Sequence, residues 1–148
     1  MAVTITLYNG AADKILGQEV TTSTLKVALL GNTATTGFDA SHTTLAQVLG
    51  SPSDEVSGNG WTLGGETIAN VAVTTVTTND AKLDGDDLSV TATGGDIGPA
   101  YGAVIYDDTD ASDGPLALID FGEAKTAGVG TDFKITWNAS GIITATVA

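Results

Sequence analysis

The residues able to do chemistry are few and mostly of one kind. Eighteen Asp and Glu stand against five Lys (14, 26, 82, 125, 134) and one histidine, His42, with no Arg and no Cys. Thiolate nucleophiles, thiolate metal sites and disulfides are therefore ruled out. His42 lies in a polar stretch. A Ser–His–Asp arrangement could in principle use it, but nothing nearby in the sequence positions a serine, and it reads as an exposed loop histidine. Neither a Gly-x-Ser-x-Gly elbow nor a Gly-Lys phosphate loop occurs. Paired carboxylates could serve a glycosidase, yet the acids sit among small residues, and two Trp and three Tyr give little for sugars to stack on. Asp108, Asp110 and Asp113 are the remaining candidates, as ligands of a calcium loop. The match is partial: counting from Asp108, Asp113 stands where the twelve-residue pattern needs Gly, and Ile119 where it needs Glu. Asp84, Asp86 and Asp87 form a similar acidic turn. The simpler reading of both is a solvated turn, and no cofactor is expected.

Charge narrows the partners. A net charge of -13 repels phosphate backbones. The lack of Arg removes the bidentate fork used for phosphate and guanine. Nucleic acid is therefore not an expected partner. No apolar run approaches a membrane span, and the opening Met1–Thr6 has no basic region before an apolar stretch, so neither a membrane nor a signal peptide is expected.

The elements that must position these residues read as strands. In Tyr101–Asp108 and Leu116–Gly122 apolar residues occupy successive positions, the pattern of strands covered on both faces. Thr109–Pro115 between them is made of turn formers. These two arms are expected to form the central hairpin; their β-branched and aromatic content, with flanking Gly and Pro, argues against a short helix at Tyr101–Tyr106. Val3, Ile5 and Leu7 alternate with Thr4 and Thr6, as in a half-buried strand. A short helix is expected from Asn9 or Asp13 to Leu16, stopped by Gly17, and Leu25–Leu30 is the next strand. Thr33–Thr44 reads as polar loop anchored by Phe38. Leu45–Leu49 reads as one helical turn ended by Gly50. Trp61 and Leu63 alternate with Thr62, and Gly64-Gly65 breaks the pattern. Thr67–Thr78 is the longest β-prone stretch, Leu83–Leu88 a turn and Ser89–Ala92 a strand. Glu123–Asp132 reads as a Gly-rich loop. Phe133, Ile135 and Trp137 face one way and are expected to form a terminal hairpin with Ile143, Ala145 and Val147, turned by Asn138–Gly141. Asn138-Ala139-Ser140 matches a glycosylation acceptor but reads as turn chemistry. Trp137 is placed in the core; Trp61, between Gly-rich segments, is a candidate for meeting a partner.

Seven to nine short strands between Gly-, Asp- and Asn-rich turns indicate an all-β, mainly antiparallel fold: a single-domain β-sandwich or jelly-roll-like barrel over residues 1–148, with one or two short helices and residues 1–8 as a possible N-terminal strand or arm.

Several segments resemble a family of small tailed-bacteriophage virion structural proteins: Glu55–Gly65, Tyr101–Thr109, Leu116–Gly122 and Thr131–Ile142, with a short helical piece before the Thr24–Leu30 strand. The resemblance implies a place in the virion. The expected role is head decoration (cement): the protein binds the major capsid protein on the outer surface of the capsid, as a trimer or other small homo-oligomer, and stabilises the assembled shell without catalysis. An acidic, Arg-free surface suits facing solvent and not packaged DNA. Val3, Ile5, Leu7 and Tyr8 are then candidates for pairing with a neighbouring sheet edge. The alternative is a tail- or fibre-associated virion protein that binds host glycans, which should show an exposed aromatic and polar patch.

Overall fold

Successive apolar residues in the central strands imply two covered faces, and a computed structural model, which describes residues 3–16, 19–77 and 80–146, shows what covers each. The main sheet has the order β1 (Thr4–Leu7), β9 (Gly114–Ala127), β8 (Ile97–Asp107), β2 (Leu25–Leu30) and β3 (Glu55–Val56), with β4 (Glu66–Thr67) also paired to β2. All its pairings are antiparallel. The expected hairpin is thus the centre of the sheet, and the helical alternative for Tyr101–Tyr106 falls away. In register, Ala103 lies opposite Ile119 and Leu29, and Val104 opposite Leu118 and Ala28.

Alternate residues feed two separate cores, as the two-residue period of a strand requires. Val27, Leu29, Ala103, Ile105, Ala117, Ile119 and Phe121 join one cluster with Trp61, Leu83, Leu88 and Phe133. Ala28, Leu30, Val104, Tyr106 and Leu118 join the other with Tyr8, Ala34, Leu45, Val48 and Leu49, and Phe38 packs against it. The first face is covered by two small sheets. One pairs β10 (Asp132–Ile135) with β7 (Leu88–Thr91); the other has the order β11 (Ile143–Thr146), β6 (Asp80–Asp84), β5 (Ala72–Thr77). The second face is covered by α2 (Asn32–Thr36) and α3 (Leu45–Leu49). The protein is therefore an all-β, mainly antiparallel, sandwich-like single domain. The main sheet ends at β1 and does not close on itself, which sets the barrel alternative aside. Among the described residues no helix is long and apolar enough to cross a membrane.

Local chemistry accounts for the short elements. The α1 helix spans Asn9–Leu16 as expected; its proposed stop, Gly17, lies outside the described residues, as do Thr78 and Val147. The α3 helix is closed by a capping box, in which Thr44 accepts from the Gln47 amide and the Gln47 side chain answers the Thr44 amide.

Five readings of local structure are corrected. The polar stretch 33–44 is not all loop, because α2 forms there, its Ala34 amide capped by the Asp54 carboxylate. Trp61–Leu63 is no strand: Gly58 and Trp61 make one isolated bridge, and Leu63 sits in an exposed turn. The 67–78 stretch is interrupted at Asn70, whose φ is 53°. Glu123–Ala127 continues β9 and is not loop. The terminal hairpin has its turn, bridged from Asn138 to Gly141, but no ladder between its arms, since β10 pairs with β7 and β11 with β6.

Candidate functional site

Two surfaces hold the residues that the sequence singles out: the acidic tip of the β8–β9 hairpin and the outer edge of the sheet at β1.

At the tip, lysines hold the acids. Asp107, the last residue of β8, is buried. One of its oxygens accepts from Lys14 Nζ at 3.1 Å and Ser23 Oγ at 2.9 Å, and the other from the Thr109 amide at 3.0 Å. Lys14 also reaches Asp110 at 2.9 Å, which ties α1 to the tip. Lys26 of β2 pairs with Asp108 at 2.9 Å. The Ser112 amide and then the Lys14 ammonium hold the Asp110 carboxyl below the usual range, whereas burial, with Asp108 beside it, pushes Asp113 up. Asp113 turns the chain at a φ of 50°, and its carbonyl accepts from the Leu45 amide at 3.0 Å. Asp108, Asp110 and Asp113 therefore do not converge, and among the described residues no group of three or more acids or histidines is placed to hold a metal. The Lys14 and Lys26 ammonium groups instead pair with Asp107, Asp108 and Asp110. Asp107, just before this turn, is a buried anchor.

A cleft of about 360 Å³ beside the tip is lined by Lys14, His42, Asp110 and Ser112 among others. The His42 ring stacks on Tyr8, with centroids 6.5 Å apart, and not on a serine. Its Nδ1 is buried without a partner among the described residues. His42 is thus half-buried against an aromatic ring, contrary to the exposed-loop reading.

At the sheet edge, β1 pairs with β9, with Ile5 opposite Ile119 and Leu7 opposite Ala117. The strand forms as expected, but it is not half-buried: Val3, Ile5 and Leu7 are 57%, 45% and 40% exposed. Among the described residues, the small sheets that cover this face leave these side chains exposed. Between β1 and the segment from β10 to Ile142 lies a groove of about 530 Å³, floored by Ile119 and Phe121 and walled by Ile5, Phe133 and Trp137. Lys125, Asp132, Lys134 and Asn138 stand among its lining. The indole N–H of Trp137 donates to the Asp86 carbonyl at 2.9 Å, which fixes the ring.

Two of the five interface candidates are corrected. Tyr8 is only 2% exposed; its ring packs on Phe38 with centroids 5.0 Å apart. Burial pushes its phenol up to about 12. Trp61 is also 2% exposed and meets Phe133 edge-on at 5.5 Å, so it is a core residue. Val3, Ile5 and Leu7 remain exposed on one face. The groove residues Phe133 and Trp137 were legible only as core, because the break between their arm and β11 is a matter of pairing, not of pattern. The lysine partners of the tip were hidden by sequence distance; the one available signal was the scarcity of cations.

Compared with protein families, with curated proteins and with solved structures, the chain matches none.

Proposed function

We propose that this is a structural protein of a tailed-bacteriophage virion: a decoration protein that binds the major capsid protein on the outer surface of the capsid and stabilises the assembled shell. The observation that carries this reading is how charge is distributed. Each of the five lysines lies within 3.6 Å of a carboxylate of its own chain: Lys14 and Lys26 at the tip, Lys82 with Asp84, Lys125 with Glu123 and Lys134 with Asp132. The surplus presented outward is acid, interrupted by apolar points at β1, Leu63 and Val129. Such a surface is repelled by packaged nucleic acid and tolerates solvent at high copy number. The apolar points are what it can offer a protein shell. The resemblance of the Glu55–Gly65, Tyr101–Thr109 and Thr131–Ile142 segments to virion proteins supports the same reading.

The mechanism is linkage. A protein that binds only the assembled shell makes disassembly less favourable, and many modest contacts acting together suffice. It asks for a rigid body and no chemistry, which fits a lysine-locked tip.

The groove beside β1 favours a second reading, a tail- or fibre-associated protein that binds host glycans. It offers Trp137 with Asn138 and Thr136 nearby, and its volume is within the range of small-ligand sites. Locating the protein in an image reconstruction of whole particles separates the two. Density on the outer head surface is expected, together with a higher disassembly temperature when purified protein is added to heads that lack it. Density on the tail supports the second reading. Absence from particles overturns both, and heads no more heat-resistant with the protein than without it overturn the cement mechanism.

A further inference from the structure

The two edges of the main sheet are treated differently. One is broken into two strands of two residues each, β3 and β4, separated by the turn that holds Gly64 and Gly65. Short, interrupted edges resist pairing with other chains. The other edge is β1, which has none of the usual protections. From Val3 to Tyr8 there is no charge and no proline, and its register on β9 has no bulge.

Main-chain geometry says which groups β1 leaves free. The Tyr8 amide donates to the Leu116 carbonyl at 3.0 Å, continuing the ladder onto β9. Amide direction alternates along a strand, so Thr4 and Thr6 also point toward β9. The N–H and C=O groups of Val3, Ile5 and Leu7 then point outward. These are the same three residues whose side chains are exposed together on one face.

We infer that β1 is a homodimer seam: two copies of this chain pair antiparallel through β1 about a two-fold axis at Ile5, perpendicular to the sheet. The segment Val3-Thr4-Ile5-Thr6-Leu7 is self-complementary under that operation. Ile5 faces Ile5 of the second copy, Val3 faces Leu7, and Thr4 faces Thr6. The residues with outward amides face one another, so the register supplies about six inter-chain main-chain hydrogen bonds. A one-residue slip would place outward amides opposite inward ones and would put apolar side chains against Thr. The apolar side chains of both copies meet on one face, beside the groove of each copy, and Thr faces Thr on the other. Charge selects the same place. Two chains of net charge -13 repel, and a strand with no charged residue is where they can approach most cheaply. A two-fold pairing uses both open edges and closes the assembly at two copies.

The test uses the full chain alone and does not depend on the virion reading: a dimer that ignores capsids and a monomer that binds them are separate results. Sedimentation velocity over a range of concentrations should give the mass of two copies. Ile5→Lys places two ammonium groups on the axis and should yield single copies with an unchanged circular-dichroism spectrum and a melting temperature that no longer depends on protein concentration. Leu63→Lys, on an exposed turn away from the seam, should stay dimeric. In this cysteine-free chain, Ile5→Cys should link covalently to its copy under mild oxidation, because opposed residues of a hydrogen-bonded pair lie about 5.5 Å apart at Cα. Val3→Cys should not link, since it faces Leu7. Single copies at every concentration would overturn the inference. So would a three-copy mass, a dimer that survives Ile5→Lys, or equal linking by both cysteine variants. Should Ile5→Lys fail to fold, the cysteine pair still decides.

Discussion

Replacing Tyr8 by Phe should stabilise the protein. The Tyr8 ring is packed between Phe38 and His42, while its hydroxyl is buried with no hydrogen-bond partner among the described residues. Phe keeps the ring and removes only the oxygen. A buried hydroxyl without a partner carries a desolvation cost of about 1–3 kcal/mol, so Tyr8→Phe should gain about 1 kcal/mol or more at neutral pH. For a chain of this length that is a rise in melting temperature of roughly 2–4 °C per kcal/mol. Alkali provides a second, independent readout. Burial raises the phenol from 10.0 to about 12 in the folded protein, so the folded state holds that proton when the unfolded chain has lost it. The unfolded state therefore binds fewer protons as pH rises through this window, and stability falls between pH 10.0 and about 12. At about 1.4 kcal/mol per unit, the loss attributable to Tyr8 is about 3 kcal/mol. Phe has no such proton. Tyr106 is also raised, by burial and then by Asp108 beside it, but it is common to both proteins and cancels in the comparison. Urea unfolding of the two proteins at pH 7 and across the alkaline range measures both effects. If Tyr8→Phe lost more than ~1 kcal/mol at neutral pH, or if the two proteins lost stability in parallel above pH 10, the hydroxyl would have a partner and the reasoning would fail.

Further outcomes follow from the tip and from one turn. Asp107→Ala removes a buried carboxylate that takes Lys14, Ser23 and the Thr109 amide; it should cost about 3 kcal/mol in urea unfolding, because Lys14 loses its most buried counter-charge. Gly65→Ala should cost at least ~2 kcal/mol, since φ is 87° and a Cβ there would overlap the Val27 carbonyl of the central sheet. Adding a calcium chelator, or calcium itself, should leave the melting temperature unchanged, because Lys14 and Lys26 already pair with Asp107, Asp110 and Asp108; a rise with millimolar calcium would contradict that. Asp110 is held below the usual carboxylate range, first by the Ser112 amide and then by Lys14, so its contribution is present above the ordinary Asp pKa and is lost as pH falls below it. Asp110→Asn should accordingly show a shallower loss of stability between pH 5 and pH 3 than the parent, by thermal melting.

The parts of the fold that could be read in advance are those where composition and punctuation agree. Tyr101–Asp108 and Leu116–Gly122 carry successive apolar residues because both faces of the sheet are covered, and that is a statement about each strand by itself. Leu45–Leu49 was legible from its apolar run and from the stop written beside it, Gly50; its capping box of Thr44 and Gln47 came only with the structure. The readings that failed concern pairing between distant segments. Phe133–Trp137 and Ile143–Thr146 have the pattern of a hairpin, and their turn forms, yet each strand goes to a different sheet, because β7 and β6 compete successfully for them. At α2, a polar run with no apolar period hid a helix whose cap comes from Asp54, well outside the window that propensity considers.

The same distinction governs the candidate site. The acid run at the tip invited a metal reading because a sequence displays its charges without their partners. Lys14 lies ninety-three positions from Asp107 and eighty-four separate Ser23 from it, so nothing local could show that the acids were already answered. At β1 the opposite happened. The alternation of Val3, Ile5 and Leu7 with Thr is the signature of a strand with one covered face, and among the described residues these side chains are left about half exposed. Burial is a property of the assembly in which a strand works, whereas alternation is a property of the chain. Alternation alone therefore could not show whether this strand is covered, and the proposed pairing of two copies along its uncharged edge is what would join the two apolar rows on one face.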